Sequence, residues 1–201
     1  MNEEINENIV ESLMREAVEK KAGLAALLLE SSKFLESNVG FKPNQSTYKK
    51  HSQKEWQIFC SEQNLDRTSV GVYLPRYLSA HLLLETSVLP IVFFHELFGH
   101  GTFCEHSSYG RRICALEREI QETGEEAVRN ELFTYMQKHI GRYEGFAFWV
   151  DYYMAREFGL LDLWSRRNKH IDSYFISLAL ETQKTAEKEG FGKIREVFGF
   201  E

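Results

Sequence analysis

A mainly α-helical chain with a small β-sheet is the fold class this sequence predicts, and three observations carry it. Only 3 prolines and 13 glycines punctuate 201 residues, 27% of them charged, a composition suited to helices. Apolar residues recur at helical spacing in most segments, as in Ile9, Leu13 and Ala17 or Val128, Leu132, Met136 and Ile140. Clear alternation is confined to residues 68–74, where Val70, Val72 and Leu74 fall on one side and Ser69, Gly71 and Tyr73 on the other. With 43% hydrophobic residues the chain can bury one sizeable core. No repeat or break in composition divides it, so one domain over residues 1–201 is expected.

Taken in order, residues 4–37 predict one or two helices, bent or broken at Gly23. Residues 38–52 are polar, contain Gly and Pro, and predict a loop. Residues 53–63, with Trp56, Ile58 and Phe59, predict a short helix. The alternating strand ends at Pro75, which cannot donate to a ladder. Residues 77–85 suit either a second strand or a short helix. Ser87 offers a cap for a helix with Pro90 in its first turn. Residues 88–94 are apolar all round, so this helix should be buried. Residues 101–112, rich in small and polar side chains, predict a loop. A charged helix follows over residues 113–126, broken near Gly124. Two amphipathic helices over residues 126–140 and 142–158 come next, the second closed by Gly159. A last long helix is capped by Asn168 or Asp172, and residues 191–200 form a tail or short helix.

Charge narrows the partners. Thirty acidic against 24 basic residues give a net charge of -6, with no basic run and a pI near 5.7, so no nucleic-acid surface is expected. The acidic start lacks the apolar stretch of a secretory signal. The longest apolar runs, residues 24–29 and 88–94, are too short to span a bilayer, so no membrane partner is expected. Cys60, Cys104 and Cys114 are odd in number and form no CxxC, which suits thiols in a reducing, cytoplasmic compartment.

The buried helix ends in His95-Glu96-Leu97-Phe98-Gly99-His100. Two imidazoles and a carboxylate in an apolar segment need partners, and a metal ion supplies one. The spacing is unusual. Histidines four apart share a face of an α-helix, whereas five residues rotate by about 140°. The sequence therefore predicts a departure from α geometry between His95 and His100, near Phe98 and Gly99, and a single π-bulge would suffice. A catalytic zinc needs a third protein ligand. Glu144 stands in an otherwise aromatic and apolar segment, Tyr143 to Asp151, where an acid is out of place unless bound or paired. Gly145 and Ala147 are small enough to let that helix approach another closely. Asp151, seven residues on, shares the face of Glu144 and can accept the second ring N–H of a ligand histidine. The plainer readings are a helix-N-terminal acid for Glu144 and a salt bridge to Arg156 or Arg166 for Asp151. Glu117, Glu119 and Glu122 are rival ligands, but their charged surroundings suggest a solvated face.

HELFGH followed by Gly101 resembles the HExxGHG motif of the dipeptidyl peptidase III family, gluzincins whose zinc helix carries an extra residue. EGFAFWVD, from Glu144 to Asp151, is similar to the EGWALYAE segment of bacterial putative metallopeptidases with an HExxPGHH motif. The resemblance implies a zincin-like fold, Zn2+ held by His95, His100 and Glu144, Glu96 as general base, and Asp151 as the acid closing the second motif. It covers under a fifth of the chain. Phe148 stands where dipeptidyl peptidase III carries a further acid, and Phe98-Gly99-His100-Gly101 replaces Pro-Gly-His-His. Both families are far larger, so the resemblance bears on the metal centre and not on a substrate lobe.

The function expected is hydrolysis of a peptide or protein substrate, with the small sheet beside the metal helix and its edge strand holding an extended peptide. Candidates to stabilise the oxyanion are Tyr109, His106, Arg142, Tyr152 and His170. His81, in an apolar run, reads as a hydrogen-bonded core histidine. Two other classes compete: a non-haem iron oxidoreductase built on two histidines and one carboxylate, and a non-catalytic protein stapled by its metal. A chain this short leaves selectivity to a partner or a second copy, so a homo-oligomer is one way to complete it.

Overall fold

The computed structural model describes residues 23–200, with side chains described from Leu27 onward; of the one or two helices expected over residues 4–37, the part before residue 23 lies outside them. The fold is mainly α with a small sheet. Helix α1 spans Gly23–Val39, and strand β1, Thr47–His51, follows. Helix α2, Gln53–Gln63, opens with Ser52 donating its N–H to the Glu55 carboxylate (2.8 Å) and closes on Asn64 in the left-handed conformation. Strands β2, Gly71–Leu74, and β3, Ser79–Leu83, are joined by a 3-10 turn over Pro75–Tyr77. The order is β1-β3-β2, with β1 parallel and β2 antiparallel to β3. Every residue of the central strand β3 is buried, which is why its sequence shows an apolar run rather than alternation. Strand β1 went unseen in the sequence because Thr47-Tyr48-Lys49-Lys50-His51 is an edge strand, half-exposed and polar.

The sheet carries a pair of histidines against α2. His51 Nε2 and His81 Nδ1 are 2.9 Å apart, one donating and one accepting, and the Phe59 ring stacks on His81 at 4.3 Å. Burial, His51 and Lys49 hold the His81 imidazole down to about 4. Burial and Lys49 also lower His51, against the pull of Glu55. Both folded values lie below the unfolded one, so the pair contributes stability that is complete above about pH 6.5. That stability is lost as pH falls from there toward 4, where the unfolded chain binds protons the folded one does not. We expect His81 alone to contribute on the order of 2 kcal/mol of this slope. Urea melts at pH 7.5 and 5, with the native chain and His81→Phe, read it as a difference; equal pH slopes in the two proteins would refute it.

After the sheet, helix α3, Leu89–Phe93, runs without a break into a π-helical segment, Phe94–Gly101, and then into α4, Thr102–His106. The cap position is Val88 rather than Ser87, and no side chain caps it. Residues 101–112 are not a loop. Helix α5, Ser108–Thr123, starts after a single extended residue, Ser107, whose hydroxyl accepts the Tyr109 N–H (3.2 Å) and donates to the Phe198 carbonyl (2.6 Å). Two of the small residues here mark close packing, not turns: a Cβ on Gly110 would lie 2.2 Å from the Phe103 carbonyl oxygen, and one on Gly101 3.0 Å from Ser46 Oγ. The buried Glu105 carboxylate accepts the N–H groups of Asn44 (2.7 Å), Gln45 (3.0 Å) and Ser46 (2.6 Å), pinning the incoming loop to α4.

The two helices expected between residues 126 and 158 are one, α6, Glu126–Glu157, 32 residues long. Gly141 does not break it; a Cβ there would meet the Tyr174 hydroxyl at 2.9 Å, so the glycine serves packing. Helix α7, Leu161–Asn168, is a short element the sequence did not announce. Helix α8, Ser173–Glu189, is capped by Asp172, which accepts the Tyr174 N–H at 2.9 Å. Helix α9, Phe191–Phe198, closes the described chain. One large buried cluster joins α1, the sheet, the π segment and α6 to α9; a smaller one lies between α2 and the sheet. Cys60, Cys104 and Cys114 are free and buried. No helix among the described residues is long and apolar enough to cross a membrane.

Candidate metal centre

The centre forms where the π segment crosses the middle of α6. In a π-helix residues five apart take the relation that residues four apart have in an α-helix. His95 and His100 therefore face the same way, with ring centroids 4.8 Å apart. The whole segment is π-helical over eight residues, a longer departure than a single bulge. Gly99 lets the segment reach α6: a Cβ there would lie 2.6 Å from the Ala147 Cα. Ala147 thus fills the close-contact role expected of it, whereas Gly145 faces Leu178 of α8 instead.

Glu144 is a mid-helix residue of α6, so it is no N-terminal acid. Its Oε2 lies 3.5 Å from His95 Nε2 and 3.7 Å from His100 Nε2. The three ligand atoms all lie within 4.8 Å of one another. Two ligands at about 2.0–2.2 Å from one tetrahedral ion are about 3.4 Å apart, so the donors and their spacing fit a divalent ion. Burial holds His95 down to about 4 and His100 to about 3, so both imidazoles are neutral with lone pairs available. Glu117, Glu119 and Glu122 are not part of this group; Glu119 and Glu122 are exposed.

Asp151 supports His95 from behind. It is fully buried, accepts the His95 Nδ1–H at 2.9 Å and the Trp164 indole N–H at 2.6 Å, and lies 3.4 Å from Arg167 Nη1. Nδ1 thus carries the proton and Nε2 is left for an ion. The cation beside Asp151 is Arg167; Arg156 pairs instead with Glu157 and Glu187. Nothing accepts from or donates to His100 Nδ1 among the described residues, and the Tyr143 ring, stacked at 4.1 Å, sets that imidazole's orientation. Asp151→Asn would turn an amide NH2 toward either the indole or the imidazole N–H. We expect a fall in Zn2+ affinity of about 10- to 100-fold, measured by chelator competition; native affinity would remove Asp151 from this role.

Glu96 is buried against the sheet, its Cγ 3.0 Å from where a Gly71 Cβ would stand. Burial pushes its carboxyl up to about 8; Glu144 and Asp151 add to the rise, while the Arg167 charge and the Tyr73 backbone N–H oppose it.

Three of the expected oxyanion groups, His106, Tyr109 and Arg142, are in contact with residues outside the centre. His106 Nε2 lies 2.8 Å from the Lys42 carbonyl oxygen. Tyr109 packs on His139, with Arg142 over its ring and Arg142 Nε toward the Val197 carbonyl. Tyr152 packs edge-on against Trp164, and His170 is exposed beyond α7. The groups that do gather at the centre are Tyr143, Phe148, Trp164 and Arg167. Arg167 sits in Trp164-Ser165-Arg166-Arg167-Asn168, which reads as a solvated charged turn, and no local signal distinguishes it.

No protein-family model, curated protein or solved structure matches the chain.

Proposed function

We propose that this chain is a zinc-dependent metallopeptidase of the gluzincin kind. The observation that carries the reading is a buried carboxylate, Glu96, next to a His95–His100–Glu144 donor set that only a π-helical turn brings together. A metal staple or an iron oxidoreductase has no evident use for that acid. Zn2+ would be held by His95, His100 and Glu144 and, when bound, supplies carbonyl polarisation, a water of lowered pKa and a positive charge that favours ionised Glu96.

The chain's own residues supply the rest. Glu96 accepts the proton of the nucleophilic water at its carboxylate and returns it to the leaving nitrogen. The Tyr73 N–H and the close approach of Gly71 keep that carboxylate aimed. Asp151 holds His95 in one tautomer. Edge strand β2, beside Glu96, is positioned to align an extended peptide or protein substrate. Buried free thiols suit the cytoplasm.

The test is metal analysis of the purified chain, reloading with Zn2+, and mass-spectrometric detection of cleavage in a mixed peptide pool. One Zn2+ per chain and cleavage lost in His95→Ala and His100→Ala are expected. Failure to bind Zn2+, or cleavage indifferent to His95→Ala, overturns the reading; iron with redox spectra moves it to the oxidoreductases.

A further inference from the structure

Resting on the peptidase reading, we propose that Arg167 binds the free α-carboxylate of the substrate, making this a peptidase that cleaves next to a C-terminus. Arg167 is the next-to-last residue of α7 and is held from two sides. Its Nη1 donates to Asn168 Oδ1 at 2.8 Å and reaches Asp151 Oδ2 at 3.4 Å. Its guanidinium lies over the Phe148 ring at 5.1 Å, and that ring meets His95 at 4.6 Å. The cation is therefore fixed one side chain away from a ligand imidazole.

Only Nη1 is used. Nε and Nη2 have no partner among the described residues, yet neither is sealed from solvent, and the side chain is 12% exposed. These two nitrogens form the edge of a guanidinium that presents parallel N–H groups, the geometry that matches a carboxylate. Serving Asp151 alone does not explain the arrangement. Asp151 already accepts two shorter bonds, from His95 and Trp164, and the Arg167 contact is the longest of the three. Formal charge agrees. Glu96, Glu144 and Asp151 together outweigh a divalent ion by one negative charge, which would repel an incoming carboxylate; Arg167 cancels it. In the reaction, water adds across the amide C–N bond. The carbonyl carbon keeps the hydroxyl, the nitrogen takes the proton, and the product leaving from Arg167 is a free amino acid or short peptide.

The probe is a mercaptoacyl amino acid, thiol for the ion and carboxylate for Arg167, compared with its primary amide. Both are titrated calorimetrically into the Zn2+-loaded chain and into Arg167→Gln and Arg167→Lys. The native protein should prefer the acid by about tenfold or more. Arg167→Gln should reduce that to under about threefold, with Arg167→Lys between the two, since a single ammonium cannot make the paired bonds. Equal binding of acid and amide by the native protein, or a preference that survives in Arg167→Gln, overturns the proposal. Should Arg167→Gln lose its melting transition or its metal, Arg167→Lys decides, and an undiminished preference there refutes it. Hydrolysis of an N-acylated tripeptide acid and its amide separates the two readings. Equal cleavage of both sinks the carboxylate site and leaves the peptidase; no cleavage of either, with the thiol pair still discriminated, does the reverse.

Discussion

Glu96→Gln should cost about 10²- to 10⁴-fold in peptide hydrolysis while leaving Zn2+ stoichiometry at the native value. Glutamine keeps the size and the hydrogen-bonding reach of the side chain but cannot take a proton from water. Because Glu96 is not one of the three grouped ligands, its loss should not open the coordination shell. The substitution should also raise stability in the metal-free state. A carboxyl held up to about 8 by burial is protonated there at neutral pH, and an amide removes the cost of ionising it as pH rises. The sign is specific: the folded value lies above the unfolded one, so native stability is complete below about pH 4.5 and falls as pH rises toward 8. Glu96→Gln should flatten that part of the profile in urea melts of the metal-free chain. Full activity in Glu96→Gln would end the general-base assignment, and lost metal would reassign Glu96 to the coordination shell.

Gly99→Ala should unmake the centre without touching a ligand. The added methyl would stand 2.6 Å from the Ala147 Cα and 2.7 Å from its Cβ, and backbone cannot swing aside. The π segment and α6 must part, which carries His100, the next residue, away from Glu144. Overpacking of this kind costs about 1–3 kcal/mol, and a chain of this size then melts roughly 3–10 °C lower. Zn2+ affinity should drop by about tenfold or more, since the shared position of the three donors is what the close approach creates. Gly145→Ala is the control. Its methyl would meet Leu178 Cδ2 at 2.5 Å, the far end of a flexible side chain that can rotate away, so a smaller effect on melting and none on metal is expected. Equal metal affinity in Gly99→Ala and the native chain would show that the two helices can separate without consequence.

Much of the fold was readable because local pattern and final environment agreed. Helix α2 occupies the residues its pattern predicted, and the structure adds its cap at Ser52 and Glu55. The departure from α geometry followed from two histidines five apart, an arithmetic constraint that needs no tertiary information. His81 is hydrogen-bonded in the core as its apolar setting implied. The misreadings share one cause. Gly101, Gly110 and Gly141 looked like breaks, and each is small because another group lies against it. Glycine required by packing and glycine required by a turn look the same in a sequence. The polar strand β1 was missed for the related reason that an edge strand need not alternate.

The sequence by itself determined the candidates: side chains of the types that hold an ion, an acid beside the first histidine, and a five-residue spacing that requires a distorted helix if both imidazoles are to face one way. Those follow from residue type and from the fixed rise and turn of the backbone. Only the tertiary structure decided what stands around them. It placed Asp151 and Trp164 behind His95, Tyr143 against His100, and Arg167 over Phe148. It also set His106, Tyr109 and Arg142 against residues outside the centre. These contacts join residues distant in the chain through the crossing of α6 with the π segment and the return of α7, and no local pattern encodes where two helices cross.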